Sequence, residues 1–202
     1  MKKILSVITL ATAAVFMACS PTQRYNPESD FEVEPIAGGT AVRIFMYVGE
    51  SWEVRIPPQI RGLPVTHIGG WAFNEGNLIS VTIPDTVTHI EGGGQRGAFQ
   101  GNQLTSVTIP NSVTTIGSFA FANNHLTNIT IPDSVTHIGA QAFRGNPLDS
   151  ITIGADVQMP SGFNCPFQFV LGSGSFAHIY TQVGRRAGTF TREVGGWIFL
   201  ER

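Results

Sequence analysis

The chain has 202 residues, of which 42% are hydrophobic and 13% are charged, and its formal net charge is -2. This length accommodates one domain with short additions. The lack of a basic excess argues against a nucleic-acid partner, because nucleic-acid-binding domains cluster Lys and Arg. The 23 glycines and 12 prolines favour many short strands and turns over long helices.

The N-terminus has the parts of a secretory signal peptide. Two lysines precede an uncharged apolar run at 4–16, and small Ala18 stands before Cys19. The run has 13 residues, and a helix that spans a bilayer takes about 20. The segment 16–19 (Phe-Met-Ala-Cys) resembles a bacterial lipobox, in which cleavage precedes the Cys and its thiol receives a diacylglyceryl group. The resemblance implies a signal peptide at 1–18 and a lipid on Cys19. A secreted protein cut elsewhere is the alternative.

The segment that follows the predicted cleavage site is polar and contains Pro21 and Pro27. This composition predicts a flexible tether at 19–30. If Cys19 carries a lipid, Cys165 has no partner within the chain, and we interpret it as a small buried hydrophobic residue.

Residues 31–62 predict a β structure that covers one end of the fold. Residues 31–34 alternate apolar and polar, Gly38-Gly39 predicts a turn, and 41–48 and 52–56 have strand character. A β-hairpin and a three-stranded meander both fit this pattern. We expect either to act as an N-terminal cap.

The centre of the chain repeats one motif. The sequence Ile-Pro-Asp-Thr-Val-Thr-His-Ile at 83–90 returns with small changes at 109–116 and 131–138, and a looser copy begins near residue 65. The spacing is 22 residues between the last two copies and 26 between the first two, where a glycine-rich insert lies at 91–97. A fixed period of this length predicts a solenoid. We expect about four to five coils over 63–157.

Each coil carries the same order of short segments. A segment with the pattern L-x-x-V-x-I predicts one short parallel strand, and the next Pro ends it. A second extended piece, Val-Thr-x-Ile, follows, and Ala-Phe then supplies core volume on a predicted helical turn. An Asn stands three residues after each Phe, where its amide can satisfy backbone groups of a turn; these are Asn102, Asn124 and Asn146.

The repeat resembles the BspA-like leucine-rich repeats of bacterial surface proteins, with units I-P-x-S-V-T-x-I-G-x-x-A-F-x-x-N-x-L-T-x-V-T, over residues 63–155. Residues 176–197 resemble a tail that recurs behind such repeats. The resemblance implies a mainly β leucine-rich-repeat solenoid, export to the bacterial cell envelope and protein binding, and it implies no catalytic residues. Some members of that family are adhesins for host matrix proteins or for other bacteria.

The repeat pattern decays at residue 158. We expect residues 158–202 to form a C-terminal cap and a small hairpin appendage, because Gly195-Gly196 separates two segments with strand character, 189–194 and 197–200.

Two sets of polar side chains recur in the repeats, and their residue types are found in metal sites and in catalytic sites. His67, His89 and His137 share one position, as shared metal ligands would, but Thr115 interrupts them. We therefore favour a solvated polar ladder and expect no metal or other cofactor. Asp85 precedes His89, and Asp133 precedes His137, at a spacing that a catalytic pair could use. Because such pairs repeat along a regular surface, we interpret them as local charge pairing and expect no enzyme.

The strands of a solenoid offer their outward side chains to partners. Here these side chains are small, neutral and mostly hydroxylated: Ser80, Thr82, Ser106, Thr108, Asn128, Thr130, Ser150 and Thr152. We call this set the hydroxyl stripe and predict that it binds protein. Good strand formers without a ligand would give the same pattern, and binding hot spots are usually Trp, Tyr or Arg.

Together these patterns predict a non-enzymatic lipoprotein anchored to the membrane by Cys19 and displayed at the cell surface, with the outer membrane the expected site. Its partner would be a protein of the host matrix or of neighbouring cells. The alternative is a structural or docking component of a cell-envelope assembly.

Overall fold

A computed structural model describes residues 24–160, 180, 183–193 and 196–201. The predicted signal peptide, Cys19 and Cys165 lie outside these residues. Within them the chain is mainly β, with two short 3-10 helices, η1 (Glu28–Asp30) and η2 (Ala37–Gly39). The predicted mainly β solenoid is confirmed, with about five turns.

The N-terminal cap is a hairpin of β1 (Phe31–Ile36) and β2 (Ala41–Tyr47). The two strands are antiparallel, with Phe31 opposite Tyr47. The next strand, β3 (Glu53–Arg55), does not continue a meander, because it pairs in parallel with β6 (Ser80–Thr82). Of the two predicted alternatives, the structure therefore has the hairpin.

The other strands are short, as expected for a chain that turns every few residues. They are β4 (Gln59–Ile60), β5 (Leu63–Ile68), β7 (His89–Ile90), β8 (Gly92–Gly93), β9 (Arg96–Gly97), β10 (Thr115–Ile116), β11 (Asn128–Thr130), β12 (His137–Ile138), β13 (Ser150–Ile153), β14 (Gly188–Glu193) and β15 (Gly196–Glu201).

Strands of successive coils pair into β-sheets on two sides of the solenoid. One side is a sheet with the order β1-β2-β5-β7-β10-β12, parallel from β2 onwards. The other side carries the β3–β6 pair and a four-stranded sheet, β11-β13-β14-β15, whose last two strands are antiparallel additions. The C-terminal hairpin therefore extends the sheet of the last coil.

Two local predictions are wrong. Ser106–Thr108 has no strand assignment, although the matching segments of the neighbouring coils do. The Ala-Phe segments form hydrogen-bonded turns and no helix, because the chain must reverse within a few residues to start the next strand. The longest parallel ladder comes instead from the second extended piece of each coil.

A column of stacked phenylalanines fills the core. The ring centroids of Phe73, Phe99, Phe121 and Phe143 follow one another at 5.0, 5.2 and 5.5 Å. Tyr47 of the cap stacks on Phe73 at 5.3 Å and so closes the column at its N-terminal end. Because each ring stacks on the rings of the neighbouring coils, the core is continuous along the axis, as a solenoid requires.

The predicted asparagine ladder is also present. Asn124 is 2% exposed, its Oδ1 accepts a hydrogen bond from the backbone N–H of Leu104 at 3.2 Å, and its Nδ2 donates to the carbonyls of Phe99 and Phe121. Asn146 bonds in the same way to Leu126, Phe121 and Phe143. Each Asn therefore joins its own coil to the preceding one.

The glycine-rich insert forms the β8–β9 hairpin, which lies close against the next coil. A Cβ atom at Gly92 would collide with the carbonyl oxygen of Ser118, and one at Gly97 would collide with the carbonyl oxygen of Phe119. The four additional residues are accommodated only because these two positions carry no side chain.

Candidate functional site

The hydroxyl stripe faces solvent along the β6, β11 and β13 side of the solenoid. Val81, Ile129 and Ile151, which lie between its members, are buried, and Val107 is partly buried, so alternation turns the stripe outward. Five members are exposed and three are partly buried, namely Thr82, Ser150 and Thr152.

Strand register aligns the stripe across neighbouring coils. Asn128 lies opposite Ser150, and Thr130 lies opposite Thr152. The hydroxyl of Ser150 donates to Oδ1 of Asn128 at 2.8 Å. Part of the hydrogen-bonding capacity of the stripe is therefore used within the protein.

The C-terminal hairpin lengthens the stripe, which the sequence interpretation missed. Thr191 lies opposite Ser150 and Thr189 lies opposite Thr152, with the hydroxyls of Thr152 and Thr189 3.0 Å apart. The alternation Thr189-Phe190-Thr191 was the available signal, since Phe190 is fully buried. It could be used only once β14 was known to pair with β13.

Apolar side chains lie at both ends of the stripe. On β15, Ile198 is 44% exposed and Leu200 is 59% exposed, and they lie opposite Thr191 and Thr189. At the N-terminal end Trp52 is 64% exposed and Ile79 is 43% exposed, and the backbone N–H of Ile79 donates to the carbonyl of Trp52 at 2.9 Å.

Trp52 and Ile79 supply the kind of side chain that the stripe itself lacks, since Trp dominates binding hot spots. In the sequence, this pair is indicated by a departure from the repeat pattern at residue 79. Ile79 occupies the position where later coils carry Thr105, Thr127 and Asp149.

The histidine column lies in the long parallel sheet, away from the stripe. His67 pairs with His89 in register, and Thr115 separates His89 from His137. The rings of His67 and His89 stack at 4.3 Å between centroids with an interplanar angle of 5°. The prediction that Thr115 interrupts the column is confirmed.

The predicted charge pairing of Asp85 with His89 is wrong. Nδ1 of His89 lies 2.8 Å from the hydroxyl of Thr88, and among the described residues no ion pair joins His89 to Asp85. A neighbouring Thr holds the ring in place of a carboxylate, so the arrangement that a catalytic pair needs is not formed here.

Electrostatics around His67 favour its neutral form. Burial lowers the pKa of His67 below its ordinary value, and the nearby His89 and Arg43 lower it further. Arg43 forms ion pairs with Glu34 and with Glu91.

Within the described ranges, no group of three or more His, Cys, Asp or Glu residues could hold a metal ion. No helix in the described part of the chain is long and apolar enough to cross a membrane.

Comparison with known proteins identifies the repeat. A family model described as the BspA type leucine rich repeat region (6 copies) matches residues 94–163. A crystal structure of a leucine-rich repeat protein from Bacteroides capillosus is 30% identical, with 62% of this chain and 95% of that chain covered and a TM-score of 0.53. The chain belongs to the BspA-type leucine-rich repeat family.

A second solved structure has a similar fold. The leucine-rich repeat protein of T. pallidum is 23% identical, with 63% of this chain and 71% of that chain covered and a TM-score of 0.51. No curated protein matches the chain. Leucine-rich repeat proteins are generally non-enzymatic binding scaffolds, so membership in the BspA-type family suggests a protein-binding or surface role.

Proposed function

We propose that this chain is a non-enzymatic, surface-displayed lipoprotein that binds proteins of the host matrix or of neighbouring cells through the hydroxyl stripe. The observation that carries the proposal is the outward alignment of the stripe on a regular scaffold, between exposed apolar side chains at its two ends. The scaffold holds these side chains in one arrangement before a partner arrives, which lowers the entropy cost of binding.

The stripe and its ends have different roles in this proposal. The small hydroxylated side chains allow close approach of a partner backbone, while Trp52 and Ile79 bury apolar area at one end. A single contact of this kind binds weakly, because the stripe lacks large anchors. Many copies on one cell surface raise the effective strength of adhesion through avidity.

Charged, bulky replacements in the middle of the stripe are expected to abolish binding. In the Thr108→Arg, Thr130→Arg double variant, both side chains are exposed, so the fold is retained while the arginines hold a partner away from the face. We expect binding to immobilised matrix proteins and to whole cells to fall at least about 10-fold, which corresponds to a loss of about 1.4 kcal/mol of binding free energy.

His137→Arg is the matched control, because His137 is also exposed but lies on the other sheet. It adds the same side chain without touching the stripe. A folded double variant that binds as strongly as the His137→Arg control would remove the stripe from the proposal.

A docking role within the envelope of the same cell is the second candidate. It is favoured by β15, an edge strand that presents Ile198 and Leu200 to solvent, since an exposed edge strand is a place where another chain can add a strand. Recovery of an envelope protein of the same cell, with no binding to matrix or to other cells, would favour this candidate.

We further propose that Cys19 anchors the protein by its lipid. The predicted mature chain contains no lysine, since both lysines lie in the signal peptide, and its ten arginines are outnumbered by 14 Asp and Glu residues, so a basic patch does not offer an alternative attachment to anionic lipid. Localisation at the outer membrane surface is part of the proposal.

Replacement of Cys19 by alanine is expected to move the protein from the membrane fraction to the soluble fraction and to remove palmitate labelling. Cys165→Ala serves as the control, because it removes the other cysteine and leaves the anchor. A Cys19→Ala protein that stays in the membrane fraction and still takes up label would contradict lipidation at this residue.

A further inference from the structure

The strand β3 continues the hydroxyl stripe by one further position, and this position is charged. Glu53 lies opposite Ser80, and Arg55 lies opposite Thr82. Val54 between them is buried, while Glu53 and Arg55 are both exposed. The two charged side chains therefore point to the same side of the sheet as the stripe. At its N-terminal end the stripe is followed by one acidic and one basic side chain.

Neither charge is neutralised by the part of the chain that the structure describes. The ion pairs within that part involve Arg43, Arg96 and Arg186, and none of them includes Glu53 or Arg55. Alternate residues of a strand lie about 6.6 Å apart. The strand therefore holds two opposite charges at a fixed spacing, and both are open to a group outside the protein.

The backbone at the outer edge of β3 already has hydrogen-bond partners. The N–H of Arg55 donates to Oδ1 of Asn26 at 2.8 Å, and the carbonyl of Arg55 accepts a hydrogen bond from the N–H of Asn26 at 3.0 Å. The N–H and the carbonyl of Glu53 both bond to the hydroxyl of Ser51. Another chain that added a strand here would have to displace these bonds. A partner at this place is therefore recognised by the side chains.

Exposed apolar side chains lie directly beside the charged pair. Trp52 precedes Glu53 and is 64% exposed, and Ile79 beside it is 43% exposed. Along β3 the order of exposed side chains is therefore apolar, acidic and basic. Trp and Arg are among the residue types most enriched in binding hot spots, and the hydroxyl stripe itself contains neither.

We propose that this end of the stripe binds an extended protein segment whose side chains are apolar, basic and acidic, in that order, at alternate positions. The apolar side chain packs on Trp52 and Ile79. The basic side chain pairs with Glu53, and the acidic one pairs with Arg55. Alternate side chains of an extended segment are also about 6.6 Å apart, so both ion pairs form together. The inference rests on the proposed binding role of the stripe and adds the class of segment that it takes.

The charged pair contributes more to specificity than to affinity. Ion pairs between exposed side chains add little binding free energy. A segment in which the two charges are exchanged, however, places like charges opposite each other at both Glu53 and Arg55, and such contacts exclude a wrong partner. The order of the charges in the segment is therefore what this end of the stripe distinguishes.

Two synthetic peptides of identical composition test this order. They are Leu-Thr-Lys-Thr-Asp and Leu-Thr-Asp-Thr-Lys, each blocked at both termini and titrated into the full chain. Binding is followed by the NMR signal of the Trp52 indole N–H, which is identified by its absence from the Trp52→Phe variant. We expect the first peptide to bind at least about 5-fold more tightly, and we expect salt to reduce this preference by screening the exposed charges.

The Glu53→Arg, Arg55→Glu double variant exchanges the two charges and keeps the net charge. Both side chains are exposed, so the fold is retained, and the preference should reverse in favour of the second peptide. Arg144→Glu is the control, because Arg144 is an exposed arginine that bonds to Gln141 in the turn of another coil. This variant should keep the wild-type preference.

A wild-type chain that does not prefer the first peptide, or a double variant that keeps the wild-type preference, would overturn the proposal. Self-association of the wild-type chain that is lost in the double variant would assign this end to a second copy and would also overturn it. The peptides do not involve matrix or cells, so these results are independent of the test with Thr108→Arg and Thr130→Arg. Failure of one inference is thereby distinguished from failure of the other.

Discussion

Replacing Asn124 by alanine is expected to lower the free energy of unfolding by about 2–4 kcal/mol. The N–H of Leu104 is buried and donates to Oδ1 of Asn124 at 3.2 Å, and it would lose this acceptor. An unsatisfied buried donor costs about 1–3 kcal/mol, and the lost bonds of the amide add to this. The carbonyls of Phe99 and Phe121 are less affected, because each also accepts a bond from another Asn.

Urea denaturation followed by circular dichroism measures this change. Asn111→Ala is the control, since Asn111 is exposed and a surface replacement changes stability by about 0.5 kcal/mol or less. If the two variants unfold at the same urea concentration, the amide ladder does not hold the coils together in the way described above.

Replacing Phe121 by alanine is expected to be as severe, at about 3–5 kcal/mol, the range for removal of a buried aromatic ring. Phe121 is fully buried and stacks between Phe99 and Phe143 at 5.2 and 5.5 Å. Loss of the ring leaves a cavity in the middle of the column and separates the two halves of the core. Because a solenoid is coupled only through neighbouring coils, we also expect the unfolding transition to broaden.

Thermal unfolding of the Phe121→Ala variant, compared with Phe45→Ala, tests this expectation. Phe45 is 37% exposed at the N-terminal cap, so its loss removes less buried area and should cost about 1–2 kcal/mol. Equal losses at the two positions would show that the stack does not contribute more than an ordinary surface aromatic residue.

Much of the solenoid could be predicted from the sequence, because each repeated position has the same structural role in every coil. Leu104 and Ile131 are fully buried, as their recurrence predicted, and the Asn ladder follows from the fixed spacing after each Phe. The outward positions of the stripe were also predictable, since alternation along a strand separates buried from exposed side chains.

The long-range pairings were not predictable in the same way. Both extended pieces of a coil have strand character, and only the stacking of neighbouring coils decides that the second piece builds the longer ladder. The tail showed a hairpin, but its pairing with β13, which lengthens the stripe by Thr189 and Thr191, depends on residues far apart in the chain.

Contacts between side chains that only the packed fold brings together were likewise not predictable from the sequence. The sequence by itself determined the period, the core positions and the outward stripe, because these depend on local alternation and on burial against a neighbouring coil of the same pattern. The tertiary structure decided that Trp52 lies beside Ile79 and that His67 stacks on His89. The register between coils sets these neighbours, and no single coil contains that information.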